Sequence, residues 1–95
     1  MRFRFGSKKL EALYTEEKGS RRYSAGVVES FFEVMAIIAA AKDERDLYAL
    51  KSLRFEQLSG SRKGQRSLRL NDQWRLIVVL EEDSEGKCLL INSIT

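Results

Sequence analysis

Apolar positions recur along this chain with two periods, and their order predicts the architecture. Residues 1–5 alternate Arg2 and Arg4 with Phe3 and Phe5, the period of two expected of a short strand. Leu10, Leu13 and Tyr14 then fall at helical spacing behind Ser7, a suitable N-cap, and Gly19 is a suitable stop. Ser24 can cap a second, longer helix. Its stripe of Val27, Phe31, Val34, Met35 and Ile38, widened by Val28, Phe32 and Ile37, implies a helix largely buried against a sheet. The Phe31-Phe32 pair is assigned to the core. Residues 39–41 are all Ala and extend the helix, and Lys42 suits its negative end. Asp43 or Asp46 caps a short third helical turn through Leu47 and Leu50.

Three strand-like runs follow. Residues 65–70 alternate, with Leu68 and Leu70 on one face and Ser67 and Arg69 on the other. Asn71 and Asp72 are good turn residues. Residues 74–80 are apolar on both faces except for Arg75, as expected of a central strand, and Trp74 is assigned to the core or to sheet anchoring. Residues 81–86 read as a polar, solvated hairpin loop. Residues 87–95 form the last run, with Cys88, Leu90 and Ile94 on one face and Cys88 buried. The order β-α-α-(short helix)-β-β-β predicts a two-layer α+β fold, two N-terminal helices packed on an antiparallel sheet, in a single domain over residues 1–95.

Composition narrows the function by exclusion. The 95 residues contain no histidine and no proline, and one cysteine. Histidine metal sites, histidine general bases and Ser-His-Asp triads are absent, a lone cysteine cannot build a thiolate zinc site, and no Gly-rich phosphate loop of either common pattern occurs. No metal or cofactor is expected. No apolar run approaches a membrane span, the N-terminus lacks a signal-peptide core, and the unpaired cysteine suits a reducing compartment. A cytoplasmic address with no membrane partner is the expectation.

Net charge is +3, unevenly spread. Residues 51–75 hold seven Lys and Arg against two acids, whereas residues 76–95 hold one against four. A local excess of cations suits a phosphate backbone. Arg69 and Arg75 lie on adjacent predicted strands around the 71–73 turn; Arg54, Arg62, Lys63 and Arg66 belong to the same segment, and Gly60 and Gly64 bracket residues 61–63. Such a cluster can clamp a phosphodiester and stabilise charge developing on it. In RNA the adjacent 2′-hydroxyl can be the nucleophile, so no metal or protein nucleophile is required. Glu56 can accept a proton, or simply pair with Arg54. Arg75 is the strongest candidate, because a lone arginine in an apolar strand must be paired or used; a structural ion pair with Asp72 or Glu56 is the alternative. Tyr23 is assigned to packing at the start of the second helix.

The stretch Leu53-Arg54-Phe55-Glu56-Gln57-Leu58-Ser59-Gly60, then Arg62-Lys63-Gly64-Gln65-Arg66-Ser67-Leu68-Arg69-Leu70-Asn71-Asp72-Gln73-Trp74-Arg75, resembles the HigB family of plasmid-maintenance toxins, of the RelE/ParE superfamily. That family reads roughly Arg-Leu-x-x-Leu-x-Gly, then Gly-x-x-Ser-Ile-x-Val-Asn-x-x-Trp-Arg. Asn71, Trp74 and Arg75, following Gly60 and Gly64, are the most specific part. The resemblance implies a RelE-like toxin of a type II toxin–antitoxin system: a metal-independent endoribonuclease that cleaves mRNA on the ribosome and inhibits translation. It also implies neutralisation by a HigA-type helix-turn-helix antitoxin, with operator DNA bound only through the toxin–antitoxin complex. Arg75, Arg69 and Glu56 are then the expected catalytic residues, and Arg54, Arg62, Lys63 and Arg66 the expected RNA-binding residues. Two departures stand out. Some members place a histidine where Glu56 stands here, and the family closes its last strand with Asp-Tyr-His, implicated in cleavage, whereas this sequence ends at Thr95. Truncation is the expectation, with a variant lacking part of the active site as the alternative. A non-nuclease toxin of the same fold, such as a gyrase inhibitor, and a catalytically inactive RNA- or antitoxin-binding module are the competing functions.

Overall fold

A computed structural model describes residues 1–58, 60 and 64–95. Strand β1 (Phe3–Phe5) leads into helices α1 (Lys8–Glu16), α2 (Ala25–Ala40) and α3 (Glu44–Ala49), followed by strands β2 (Glu56–Gln57), β3 (Gln65–Arg69), β4 (Arg75–Asp83) and β5 (Gly86–Ile94). Short 3-10 turns at Ser20–Arg22 and Lys51–Leu53 join the helical and strand segments.

The helices start where polar side chains can accept from the first free N–H groups. Ser7 accepts from the Leu10 N–H, Ser24 from the Val27 N–H and Asp43 from the Arg45 N–H. Helix α1 stops at Glu16, three residues before Gly19, because Glu17 takes the left-handed conformation (φ 57°) and returns its N–H to the Ala12 and Leu13 carbonyls. At the far end of α2 the N-terminal ammonium of Met1, rather than Lys42, meets the free carbonyls. It donates to Ile38 at 3.2 Å and Ala39 at 3.3 Å, and also to Ala41. A positive charge there complements the helix dipole.

The sheet has five strands in the order β1-β5-β4-β3-β2. The sequence predicts an antiparallel sheet of four strands; two features differ. Strand β1 lies parallel to β5, with Phe3 opposite Leu89, because this lane directs Phe3 and Phe5 into the core beneath α1. Strand β2, two residues long, adds an edge beside β3, with Glu56 opposite Ser67. The polar 81–86 segment is mostly strand: β4 runs to Asp83 and β5 starts at Gly86.

All three helices cover one face of the sheet. The core joins Leu10 and Leu13 of α1, the α2 stripe and Leu47 to Leu68, Leu70, Leu76, Val78, Leu89, Ile91 and Ile94. Phe3, Phe5, Tyr14 and Phe32 pack at its border, with Tyr14 and Phe32 stacked at 6.2 Å. Cys88 and Leu90 do not share a face with Ile94, contrary to simple alternation. A bulge between Ile77 and Val78 sets Ser93 opposite Ile77 and Ile91 opposite Val78, so Asn92 is the extra residue. That insertion flips the parity and returns Ile94 to the core with Leu89 and Ile91. Among the described residues no helix covers the other face of the sheet, which carries the candidate site.

Candidate functional site

The uncovered face is electrostatically divided along its strands. At the β4–β5 hairpin end the acids are neutralised. Arg2 pairs with Asp83 at 2.6 Å and with Glu85 at 3.2 Å, and Arg4 pairs with Glu81 at 2.6 Å. The Arg2 guanidinium holds the Asp83 carboxyl below the usual carboxylate range. Nearby, Lys87 pairs with Glu44 at 2.5 Å and lowers its pKa, and Arg45 holds Asp43 at about 2. Among the described residues, the cations of 51–75 face one acid in an ion pair, Asp72 with Arg69.

At the opposite end a groove of about 600 Å³ is lined by Lys51, Ser52, Arg54, Arg69, Asn71, Asp72 and Arg75. Four of these side chains are cationic and one is a carboxylate. The β3–β4 turn builds it. Asn71 Oδ1 accepts from the Gln73 N–H at 2.9 Å and the Trp74 N–H at 2.8 Å, and the Trp74 carbonyl accepts from the Leu70 N–H at 2.9 Å. Trp74 anchors the start of β4, packing against the core and meeting Tyr23 edge-on at 6.2 Å. This closed turn sets Arg69 and Arg75 directly opposite one another. On the other side of Arg75, its N–H donates to the Thr95 carbonyl at 2.7 Å and its carbonyl accepts from the Thr95 N–H at 2.9 Å. Two like charges facing across a ladder oppose folding unless something neutralises them.

The two arginines are held differently. Arg69 forms an ion pair with Asp72, three residues on in the turn. Arg75 has no carboxylate partner among the described residues; Nη1 donates to the Ser67 hydroxyl at 3.4 Å. The alternative of a structural ion pair between Arg75 and Asp72 or Glu56 is therefore not what the structure holds. Nor is Arg54 paired with Glu56 among the described residues. Arg54 instead takes the left-handed conformation (φ 46°) at the end of the 3-10 turn and lines the groove with Lys51.

The remaining sequence-predicted residues separate. Glu56 lies on β2 on the same face as Ser67, beside the groove rather than among its lining residues. Arg66 is on the opposite face from Arg69, where Nε donates to the Tyr48 hydroxyl at 3.2 Å. Arg62 and Lys63 lie outside the described residues. Lys51, Ser52, Asn71 and Asp72 join the site without being singled out as ligand contacts. Lys51 is legible in the sequence only as one charge in a basic segment, and Asn71 as a turn residue and part of the family motif. Among the described residues no cluster of three or more His, Cys, Asp and Glu is placed to hold a metal, and no helix is long and apolar enough to cross a membrane.

Residues 3–89 match the model of a family described as RelE-like toxin of type II toxin–antitoxin system HigB. Toxin HigB-1 of Vibrio cholerae serotype O1 is 38% identical over 77 residues, which cover 81% of each chain. Two solved structures share the fold. A YoeB/ParE toxin from Agrobacterium tumefaciens aligns with a TM-score of 0.61 at 15% identity, covering 99% of this chain and 95% of its own. YafQ from Escherichia coli strain BL21(DE3) aligns with a TM-score of 0.61 at 16% identity, covering 99% and 91%. The match over nearly the whole chain, together with the helix-covered sheet and its Asn71–Arg75 turn, makes this chain a member of the HigB-like toxins of the RelE superfamily, the toxin component of a type II toxin–antitoxin system with an antitoxin as its partner.

Proposed function

We propose that the chain is a ribosome-dependent mRNA endonuclease and that the groove between β3, β4 and the 51–54 turn takes the scissile phosphate. The observation that carries this reading is Arg75: a half-buried guanidinium on the central strand, opposite a second arginine, with no carboxylate to satisfy it among the described residues. A phosphodiester supplies the missing anion. Arg75 and Arg69 contact its non-bridging oxygens and stabilise the charge that grows as the ribose 2′-oxygen attacks phosphorus and the 5′-oxygen leaves. Arg54 and Lys51 hold the flanking backbone; Arg62 and Lys63 are further RNA-binding residues of this reading by their charge alone, and Arg66, on the opposite face, is not part of the groove. Glu56, on the neighbouring strand and the same face as Ser67, accepts the 2′-hydroxyl proton. The leaving 5′-oxygen takes its proton from water, and the products are a 2′,3′-cyclic phosphate and a 5′-hydroxyl end. No metal enters this scheme.

The antitoxin partner in this reading is a HigA-type helix-turn-helix protein that covers or restricts the 54–75 patch, and operator DNA is reached through the complex. The test is a purified translation system programmed with a defined mRNA. Cleavage only of translated message, with cyclic phosphate ends, is the expected result. Message left intact while purified gyrase loses supercoiling activity points instead to a gyrase inhibitor. Intact message with ribosome or antitoxin binding points to an inactive binding module.

A further inference from the structure

The open face of the sheet buries one polar side chain among the described residues, Ser67 on β3, 1% exposed. Its neighbours across the ladder are Glu56 on β2 and Ile77 on β4. A hydroxyl withdrawn from water needs a hydrogen-bond partner. That partner is the Arg75 guanidinium, whose Nη1 donates to Ser67 Oγ at 3.4 Å. Arg75 stands opposite Arg69, so Ser67 is its diagonal neighbour on the same face, within reach of a long side chain.

The chemical nature of this contact matters more than its strength. A guanidinium carries five N–H donors in a fixed plane. Anchoring one of them restricts the swing of the plane and leaves the other four for a ligand. A carboxylate anchor also restricts the swing, but it cancels the charge, as Asp72 does for Arg69. A hydroxyl is neutral, so the full positive charge stays available.

We propose that Ser67 is a positioning residue for the groove: it orients Arg75 with a neutral acceptor and thereby keeps its charge available to the phosphate. The inference rests on the reading of the groove as a phosphate site. It adds a division of labour, in which Arg75 is pre-oriented and fully charged while Arg69 is released from Asp72 as the ligand arrives.

The test combines Ser67→Ala, Ser67→Thr, Arg75→Ala and the Ser67/Arg75 double variant, all checked for a native thermal transition. Two readouts are taken: cleavage of translated mRNA, and ¹⁵N relaxation of the arginine Nε–H groups in the free toxin. Losing one hydrogen bond to a charged group lowers kcat about fivefold to tenfold in Ser67→Ala, with KM little changed. The same substitution is silent in the Arg75→Ala background, and Ser67→Thr, which keeps the hydroxyl, recovers most of the rate. The Arg75 Nε–H becomes more mobile in Ser67→Ala while the Arg69 Nε–H does not. Equal loss of rate in both backgrounds, or unchanged Arg75 mobility, overturns the proposal. If wild-type toxin leaves translated mRNA intact but Ser67→Ala still loosens Arg75 and weakens binding of a short oligoribonucleotide, positioning stands and the endonuclease reading fails.

Discussion

Replacing Arg75 by alanine separates a functional arginine from a structural one, and the structure sets both magnitudes. The side chain is half-buried, has no ion pair among the described residues, and makes one long hydrogen bond. Its main-chain bonds to Thr95 are independent of the side chain. Truncation takes the donor from the Ser67 hydroxyl but opens that hydroxyl to water, and it relieves the repulsion from Arg69 across the ladder, so stability should change by less than about 1 kcal/mol. Function should respond far more. Removing one preorganised donor to a developing oxyanion costs about 100- to 1000-fold in kcat. Oligoribonucleotide affinity measured against salt gives an independent check, because each lost phosphate contact on a single strand makes the log–log slope shallower by about 0.7. Arg75→Lys keeps the charge but not the planar fork, so it should retain the salt slope while losing most of the rate. Urea unfolding, cleavage in a purified translation system and the salt titration would together decide. A stable Arg75→Ala protein with full cleavage refutes the assignment. A loss above about 2 kcal/mol refutes it differently, by making Arg75 a structural residue after all.

Three further outcomes follow from the same geometry. Asn71→Ala removes the acceptor of two turn N–H groups and should cost about 1–2 kcal/mol in urea unfolding, with activity falling alongside because Arg69 and Arg75 lose their common register; Asn71→Asp keeps an acceptor and should recover most of both. Arg54→Gly relieves a left-handed non-glycine residue while loosening the unfolded chain, so stability should stay within about 0.5 kcal/mol while the salt slope for oligoribonucleotide binding becomes shallower. Asp43, held at about 2 by Arg45, and Glu44 and Asp83, held low by Lys87 and Arg2, all have folded pKa values below their ordinary ones. Their contribution is complete above the ordinary carboxylate range and disappears as pH falls through the lowered values. With no histidine in residues 1–95, urea midpoints should be flat from about pH 5 to 8 and decline below about pH 4. A midpoint that falls between pH 7 and 6 would contradict this.

What depends on neighbours along the chain can be read without the fold. The caps Ser7, Ser24 and Asp43, the α2 stripe and the Leu68–Leu70 alternation are local signals, because a cap or a period involves residues only a few positions apart, and each is found in place. The basic character of residues 51–75 and the Asn71–Arg75 motif were legible for the same reason. Everything that turned these into a groove needed the folded chain. The lane of β1 beside β5, the bulge at Asn92 that returns Ile94 to the core, and the β2 edge depend on which distant segments lie side by side. So does the pairing of cations. Arg2 and Arg4 lie more than seventy residues from the acids they neutralise, and that long-range pairing takes up Glu81, Asp83 and Glu85 at one end of the sheet. Asp72 was within reach of either arginine along the sequence. The closed β3–β4 turn paired it with Arg69 and gave Arg75 a hydroxyl, because the ladder brings Ser67 beneath the guanidinium. Charge is a property of the sequence, but whether a charge is left available is a property of the packing around it.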